Sequence, residues 1–304
     1  MSPAFPKAIF LKDRAQMLAR ARAFFAERDV MEIDVGALVR RAPLDNHIDC
    51  IGVDQDNGFL HTSPEYALKR MLASGMGDCY FLGHVFRKGE LGHLHNPEFT
   101  MVEWYRLGFT FEQMIQETAQ FLFLFFGEQT VRHLSYRKAF EQYVGIDYEK
   151  EPLSGLHKLT NSDWDRSTCL HYLLSHQIEP KLGRGELTAL LDYPPHEAAL
   201  ACMVEKQGEW VAERFEFYFE GVELSNGFHE LRDATELAQR FALSNAKRIA
   251  EGKAPYAFDE PFLQCLQHLP NCCGVALGFD RALMLKHQSG SIKQVIPFAW
   301  DELA

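Results

Sequence analysis

Apolar residues at helical spacing (Leu11, Ala15, Leu18, Ala21, Phe24 and Phe25) predict an amphipathic helix over 11–28. The alternation Val30-Met31-Glu32-Ile33-Asp34-Val35 predicts a strand that ends at Gly36. Thr62-Ser63-Pro64-Glu65 opens a second helix. A hydroxyl can cap it, Pro64 fits the first turn, and Glu65 suits the positive helix end. That helix carries Tyr66, Leu68, Met71 and Leu72 and stops near Gly75. Strand patterns follow at 79–87 and 98–106, with a polar loop at 88–97 between them. Residues 109–205 read as mostly helical, broken at Pro152, Pro180, Gly183 and Pro194-Pro195, and as an insertion on a sheet rather than a separate domain. Within them, the aromatic and aliphatic run 121–126 is far shorter than the ~20 residues a bilayer requires, and reads as buried helix. A hairpin over 213–227 turns at Glu220-Gly221, a polar helix covers 234–251, a short strand covers 274–277, and a last helix covers 280–287. Antiparallel strands interrupted by helices make an α+β fold.

Composition narrows the partners. The 304 residues are 47% hydrophobic, enough for a large core. Lys plus Arg is 31 against 42 Asp plus Glu, a net charge of −11, which argues against a polyanionic partner such as tRNA or duplex nucleic acid. No signal-peptide pattern opens the chain. Seven scattered cysteines, with no C-x-x-C pair, argue against a disulfide framework and a zinc site. These features lead us to expect a cytoplasmic protein with no membrane association.

Three constellations carry chemistry. In the hairpin, a two-residue turn sets Tyr218 against Glu223, with Glu216 diagonal on the same face at ~7–8 Å between α-carbons. Such a pair is either a solvated face or a cation site. The polar run Leu224-Ser225-Asn226-Gly227-Phe228-His229-Glu230 beside it favours a site, and magnesium accepts one or two carboxylates plus substrate phosphates. In the second, Phe99, Met101, Glu103 and Tyr105 share one strand face, either half-buried core or a platform for an elongated ligand. Arg87, at the end of the preceding strand, could clamp a phosphate or carboxylate. In the third, Gly274-Val275-Ala276-Leu277-Gly278-Phe279-Asp280-Arg281 leads a strand into a helix N-terminus, where Arg281 opposes the helix dipole unless an anion is present.

Together these segments resemble the class II aminoacyl-tRNA synthetases of the lysyl type. Residues 11–35 resemble motif 1. Phe86-Arg87, His95-Asn96-Pro97-Glu98-Phe99 and Glu103-Trp104-Tyr105 resemble motif 2, and residues 274–281 resemble motif 3. Within that family, the branch of truncated lysyl paralogues is the nearest likeness. Only about ten residues precede the first helix, so no anticodon-binding domain is expected, and Ala276 stands where the lysyl enzymes have glycine. The resemblance implies a single catalytic domain over 1–304, an antiparallel sheet flanked by helices, and a homodimer. It implies an ATP-dependent ligase that adenylates (R)-β-lysine or lysine and transfers it to a lysine of elongation factor P, without stable tRNA binding.

The same resemblance assigns roles. Arg87 would hold the α-phosphate and the substrate carboxylate, and Arg281 with Phe99 would sandwich adenine; the two arginines are the catalytic pair. Asn96, Lys88, Gly89, Leu224 and Gly278 would complete the ATP site, and Glu216 and Glu223 would hold magnesium. Glu65, with Ser63 and Pro64, would meet the amino group near the carboxylate. Tyr105 and Glu230 would meet the distal ammonium, with Asn226 and Ala276 also lining the amino acid. Some positions depart from the pattern. Gly36 replaces the motif 1 proline, Gly89 replaces a glutamate with Glu90 one place late, and His93 replaces a basic loop residue. The competing expectations are a weakened amino-acid-binding paralogue, which the departures favour, and a stand-alone tRNA-charging enzyme.

Overall fold

The computed structural model describes residues 6–43, 48–53 and 58–302. The chain divides into two compact units, residues 1–127 with 229–304, and residues 128–228. The first unit begins with α1 (Pro6–Ala26), whose Met17, Ala21, Phe24 and Phe25 are buried. The strand predicted over 30–35 shrinks to β1 (Met31–Glu32), an exposed edge pairing parallel with a later strand. β2 (Leu38–Val39), β3 (Ile51–Val53) and β4 (Gly58–Leu60) form a small sheet in the order β2-β4-β3. Next come α2 (Glu65–Ala73), β5 (Cys79–Phe86), β6 (Glu98–Leu107) and α3 (Phe111–Phe126). Thr110 and Gln113 form a capping box on α3, which carries the aromatic run and buries Phe121, Leu122 and Phe125.

The second unit holds β7 (Val131–Ser135), α4 (Tyr136–Tyr143), α5 (Leu153–Thr160), α6 (Arg166–Leu173), β8 (Leu187–Tyr193), β9 (Met203–Lys206), β10 (Glu209–Phe219) and β11 (Val222–His229, its last residue in the first unit). The expected helical stretch 109–205 therefore splits. Its first helix belongs to the first unit, and the rest includes three strands. β10 pairs antiparallel with β8, β9 and β11, and β7 runs parallel to β8. Around Tyr136, Phe140, Leu170, Leu173 and Tyr193 this unit has a core of its own.

The chain then returns to the first unit through α7 (Ala234–Ala250), α8 (Glu260–Cys265), β12 (Cys272–Gly278) and α9 (Phe279–Lys286). β6 lies between β5 and β12, antiparallel to both. Stacked and tilted aromatics, Phe25 on Tyr80 and Phe121 against Trp104, fill the space beneath. Arg14 of α1 is buried in an ion pair with Asp280 of α9 and donates to Thr100 Oγ1 of β6 at 2.5 Å. All seven cysteines are free thiols. Among the described residues no helix is long and apolar enough to cross a membrane.

Candidate active site

In the first unit, Ser63 Oγ accepts from the Glu65 N–H (3.0 Å) and donates to Glu103 Oε2 (2.6 Å). Pro64 rather than a hydroxyl residue stands at the N-cap of α2, with no side-chain cap, and Ser63 just before it ties the helix start to β6. The two-residue period of β6 puts Glu103 and Tyr105 on one face, and the Tyr105 hydroxyl donates to Glu103 Oε1 (2.8 Å). Pairing with β12 sets Gly274 opposite Tyr105 and Ala276 opposite Glu103. A methyl group at 274 would lie 2.3 Å from a Tyr105 ring carbon and 2.5 Å from Glu230 Oε1, so glycine alone admits both side chains. Glu230 is anchored by its own N–H, which donates to the Cys272 carbonyl at 3.1 Å.

Lys69, one turn along α2 from Glu65, closes the cluster. Its Nζ lies 2.5 Å from Glu65 Oε1, 2.5 Å from Glu230 Oε2, and 5.9 Å from the centre of the Tyr105 ring. Lys69 and Glu230 are each 1% exposed and Glu103 is 2% exposed. Three carboxylates thus share one buried ammonium. Burial pushes the Glu103 carboxyl up to about 8, with Glu65 adding repulsion and Ser63, Tyr105 and Lys69 opposing. Burial likewise pushes Glu230 up to about 7, against the attraction of Lys69. Burial works against the charge on Lys69 too, but its two carboxylate neighbours outweigh it and raise its pKa.

A second cluster in this unit surrounds Arg87. Its guanidinium lies 5.0 Å from the centre of the Phe99 ring, and its buried Nε has no hydrogen-bond partner among the described residues. An unsatisfied buried donor of this kind suits an anion. Gly89 turns the loop with φ +78°, a conformation that disfavours the side chain expected there, and Glu90 one place on approaches Arg87 (3.7 Å) and His95 (4.0 Å). Arg281 meets His95 Nε2 at 2.6 Å and donates to the Leu94 carbonyl at 3.3 Å. Burial, with Arg281 and Arg87 beside it, lowers the His95 pKa, so a neutral imidazole accepts this bond. The structure thus places Phe99 against Arg87, and Arg281 against His95. At Gly278, a methyl group would make ordinary contact with the Arg281 side chain. The Lys88 N–H donates to the Asp49 carbonyl, and the His93 side chain is exposed. Asn96, expected at ATP, is 5% exposed and works as a tie. Its Nδ2 donates to the Glu98 carbonyl (2.6 Å) and its Oδ1 accepts from the Trp300 N–H (2.9 Å).

In the second unit, Tyr218 pairs with Glu223 across the 220–221 turn, as the spacing predicts. A bulge between Phe217 and Tyr218 then brings Glu216 opposite Asn226. Glu216 is buried and already bound: Arg214 reaches one of its oxygens at 2.5 Å and the Tyr218 hydroxyl the other at 2.6 Å. Glu223 is half-buried, Leu224 is buried at the bulge, and Asn226 Oδ1 has no hydrogen-bond partner among the described residues. Two carboxylates plus phosphates form a donor set that magnesium uses. Glu223 fits that set, whereas Glu216 joins it only by releasing Arg214 or Tyr218. Among the described residues no group of three or more His, Cys, Asp or Glu is placed to hold a metal.

The structure therefore gathers Ser63, Glu65, Tyr105, Glu230 and Ala276 into one cluster, and Arg87, Phe99 and Arg281 around one loop. Sequence reasoning missed Lys69 and Gly274 and gave Glu103 no role. The signal for Gly274 was present as the glycine opening the third constellation. Lys69 looked like half of an ordinary surface Glu–Lys pair four residues apart.

Comparison with known proteins gives a match to the tRNA synthetases class II (D, K and N) over residues 7–302. The elongation factor P–(R)-β-lysine ligases of Haemophilus influenzae and Vibrio parahaemolyticus are each 38% identical, covering 95% of this chain and 94% of their own length. The ligase of the same name from Salmonella dublin is 37% identical, covering 96% of this chain and 95% of its own length.

Proposed function

The chain belongs to the class II tRNA synthetase family (D, K and N), and from that premise we propose that it is an ATP-dependent ligase. It adenylates (R)-β-lysine, or lysine, and transfers the aminoacyl group to a lysine side chain of elongation factor P. The likeness to ligases of that name over 95% of the chain supports this, but the observation that carries it is the group of three carboxylates, the buried Glu103 and Glu230 with the half-buried Glu65. A carboxylate-rich pocket is costly when empty and selects a ligand that brings its own positive charge. Glu65, with Ser63 and Pro64, meets one amino group of the substrate. Glu230 and Tyr105 meet the other, and Ala276 shapes the wall opposite Glu103.

In the first step a carboxylate oxygen of the amino acid attacks the α-phosphorus of ATP. The bond to the pyrophosphate oxygen breaks, and the aminoacyl adenylate remains. Arg87 neutralises the α-phosphate, and its unpaired Nε supplies a donor for it. Arg281, swung from His95, and Phe99 hold the nucleotide. Glu223 would hold magnesium together with substrate phosphates, and the ion would supply charge neutralisation for the leaving pyrophosphate. In the second step a neutral lysine amine of the acceptor attacks the carbonyl carbon, AMP leaves, and an amide forms. The net charge of −11 supports a protein acceptor over tRNA. A reducing cytoplasm suits seven free thiols, and we include a homodimer, with the exposed Ile9 and Met31 of the first unit as apolar contacts.

The test is to incubate the enzyme with ATP, magnesium and (R)-β-lysine together with elongation factor P or tRNA. One β-lysyl mass increment on the factor, with tRNA uncharged on an acid gel, is the expected result. Glu223→Gln should reduce pyrophosphate exchange by orders of magnitude. Charged tRNA beside an unshifted factor would overturn the acceptor assignment.

A further inference from the structure

Lys69 sits among the three carboxylates, yet the reaction just described gives it nothing to do. It is 1% exposed and its Nζ is bound at 2.5 Å by carboxylates from two different segments, Glu65 on its own helix and Glu230 after β11. It cannot swing out to meet a ligand without breaking both. Among the described residues, Glu103 accepts hydrogen bonds from the neutral hydroxyls of Ser63 and Tyr105 and none from Lys69.

We infer that Lys69 is a positioning cation that sets how many positive charges the site accepts. By holding Glu65 and Glu230 in place it leaves three carboxylates two charges short, a deficit that a ligand with two ammonium groups fills and one with a single ammonium does not. This rests on the amino-acid pocket proposed above and explains how that pocket counts charge.

Charged groups farther out carry one charge of each sign, Asp78 bearing on Cys79 and Arg232 on Cys272, so the sum stands. Glu65 and Lys69 face it from α2, Tyr105 from β6, Cys79 from β5 and Cys272 from β12. Both thiols are raised by burial and stay neutral, as does Tyr105. His229 bears on Glu230, and Arg232 bears on Cys272. In the empty site the deficit is met by protons on the carboxyls, in keeping with Glu103 near 8 and Glu230 near 7. Alkylammonium groups stay charged to about pH 10, so a diammonium ligand displaces those protons.

Calorimetric titration of the full chain with 1,5-diaminopentane and with pentylamine, in two buffers of different ionisation heat between pH 6 and 8, tests this without ATP or acceptor. For the native chain we expect at least tenfold tighter binding of the diamine, proton release on binding, and affinity that rises well over tenfold across the range. Lys69→Arg should keep all three. Lys69→Met should bind the diamine at least tenfold more weakly at pH 7, move the rise in affinity to higher pH, and keep one proton on the carboxyls when the diamine is bound. A filler with no electrostatic role would leave the pH profile unchanged, and an unchanged pH profile of diamine affinity in Lys69→Met overturns the inference. Should Lys69→Met not fold, failure of the native chain to prefer the diamine, or loss of that preference in Lys69→Arg, overturns it instead. Preference for the diamine with no acyl transfer to elongation factor P would overturn the ligase reading and support the charge count.

Discussion

Gly274 shows how much a single residue can decide. It is buried in the middle of β12, where glycine ordinarily weakens a strand, because Tyr105 and Glu230 occupy the space a side chain would need. Gly274→Ala should cost about 1–3 kcal/mol of stability through overpacking. It should also raise KM for the amino acid in pyrophosphate exchange by more than tenfold, because the displaced groups are those proposed to contact the ligand. Denaturant unfolding and exchange kinetics measure the two effects separately. A variant with normal KM would show that the Tyr105–Glu230 contact is not used in binding. Ala276, two residues on and opposite Glu103, is half-buried, so the same strand carries a position closed to a methyl group and one that already holds it.

Among the elements, α1, β6 and α9 are locked through one guanidinium. Arg14 spans from the first helix to Asp280, whose other carboxylate oxygen accepts the Thr100 N–H at 2.8 Å. Asp280 precedes Arg281, and Thr100 follows Phe99, so the lock adjoins two residues proposed for the nucleotide site. Removing one partner of a buried pair strands the other charge, and Arg14→Met should cost about 3–5 kcal/mol. Because the lock also positions Arg281, KM for ATP should rise while KM for the amino acid changes little. Urea titration and steady-state kinetics check the two parts. Loss of stability with both constants unchanged would confine Arg14 to a structural role.

For the whole molecule, the buried carboxylates link stability to pH. Glu103 and Glu230 hold protons in the folded state to about 8 and about 7, whereas an unfolded chain releases them near the ordinary glutamate value of about 4.3. Between these limits the unfolded state binds fewer protons. The contribution of these groups to stability is therefore full at low pH and is lost as pH rises to about 8. The ligand-free midpoint of thermal unfolding should fall from pH 5 to pH 8 through these groups, and Glu103→Gln should flatten that fall. Added (R)-β-lysine should raise the midpoint more at pH 8 than at pH 6. Scanning fluorimetry over this range reads all three, and identical slopes for the native chain and Glu103→Gln would contradict the linkage.

The sequence alone determined most of what repeats locally. Periodicity placed α1, α2, β5, β6, α7, β12 and α9, and the Glu220-Gly221 turn fixed the register of Tyr218 against Glu223, because spacing and turn chemistry act within a few residues. It also indicated the class II family, since motif residues are legible one by one. Its mostly helical reading of 109–205 missed the strands there: β7 and β8 take their form from each other and from β10, partners distant in the chain, and β9 from a tight hairpin with β10. Only tertiary structure buried Lys69 between Glu65 and Glu230, committed Glu216 to Arg214 and Tyr218, and turned Asn96 into a backbone tie. In each case the sequence supplied a charge or an amide, but its role depended on burial and on which distant groups could reach it. An exposed Glu–Lys pair and a buried one have the same spacing; only desolvation, set by the strands packed over them, makes the second a charge-selective site.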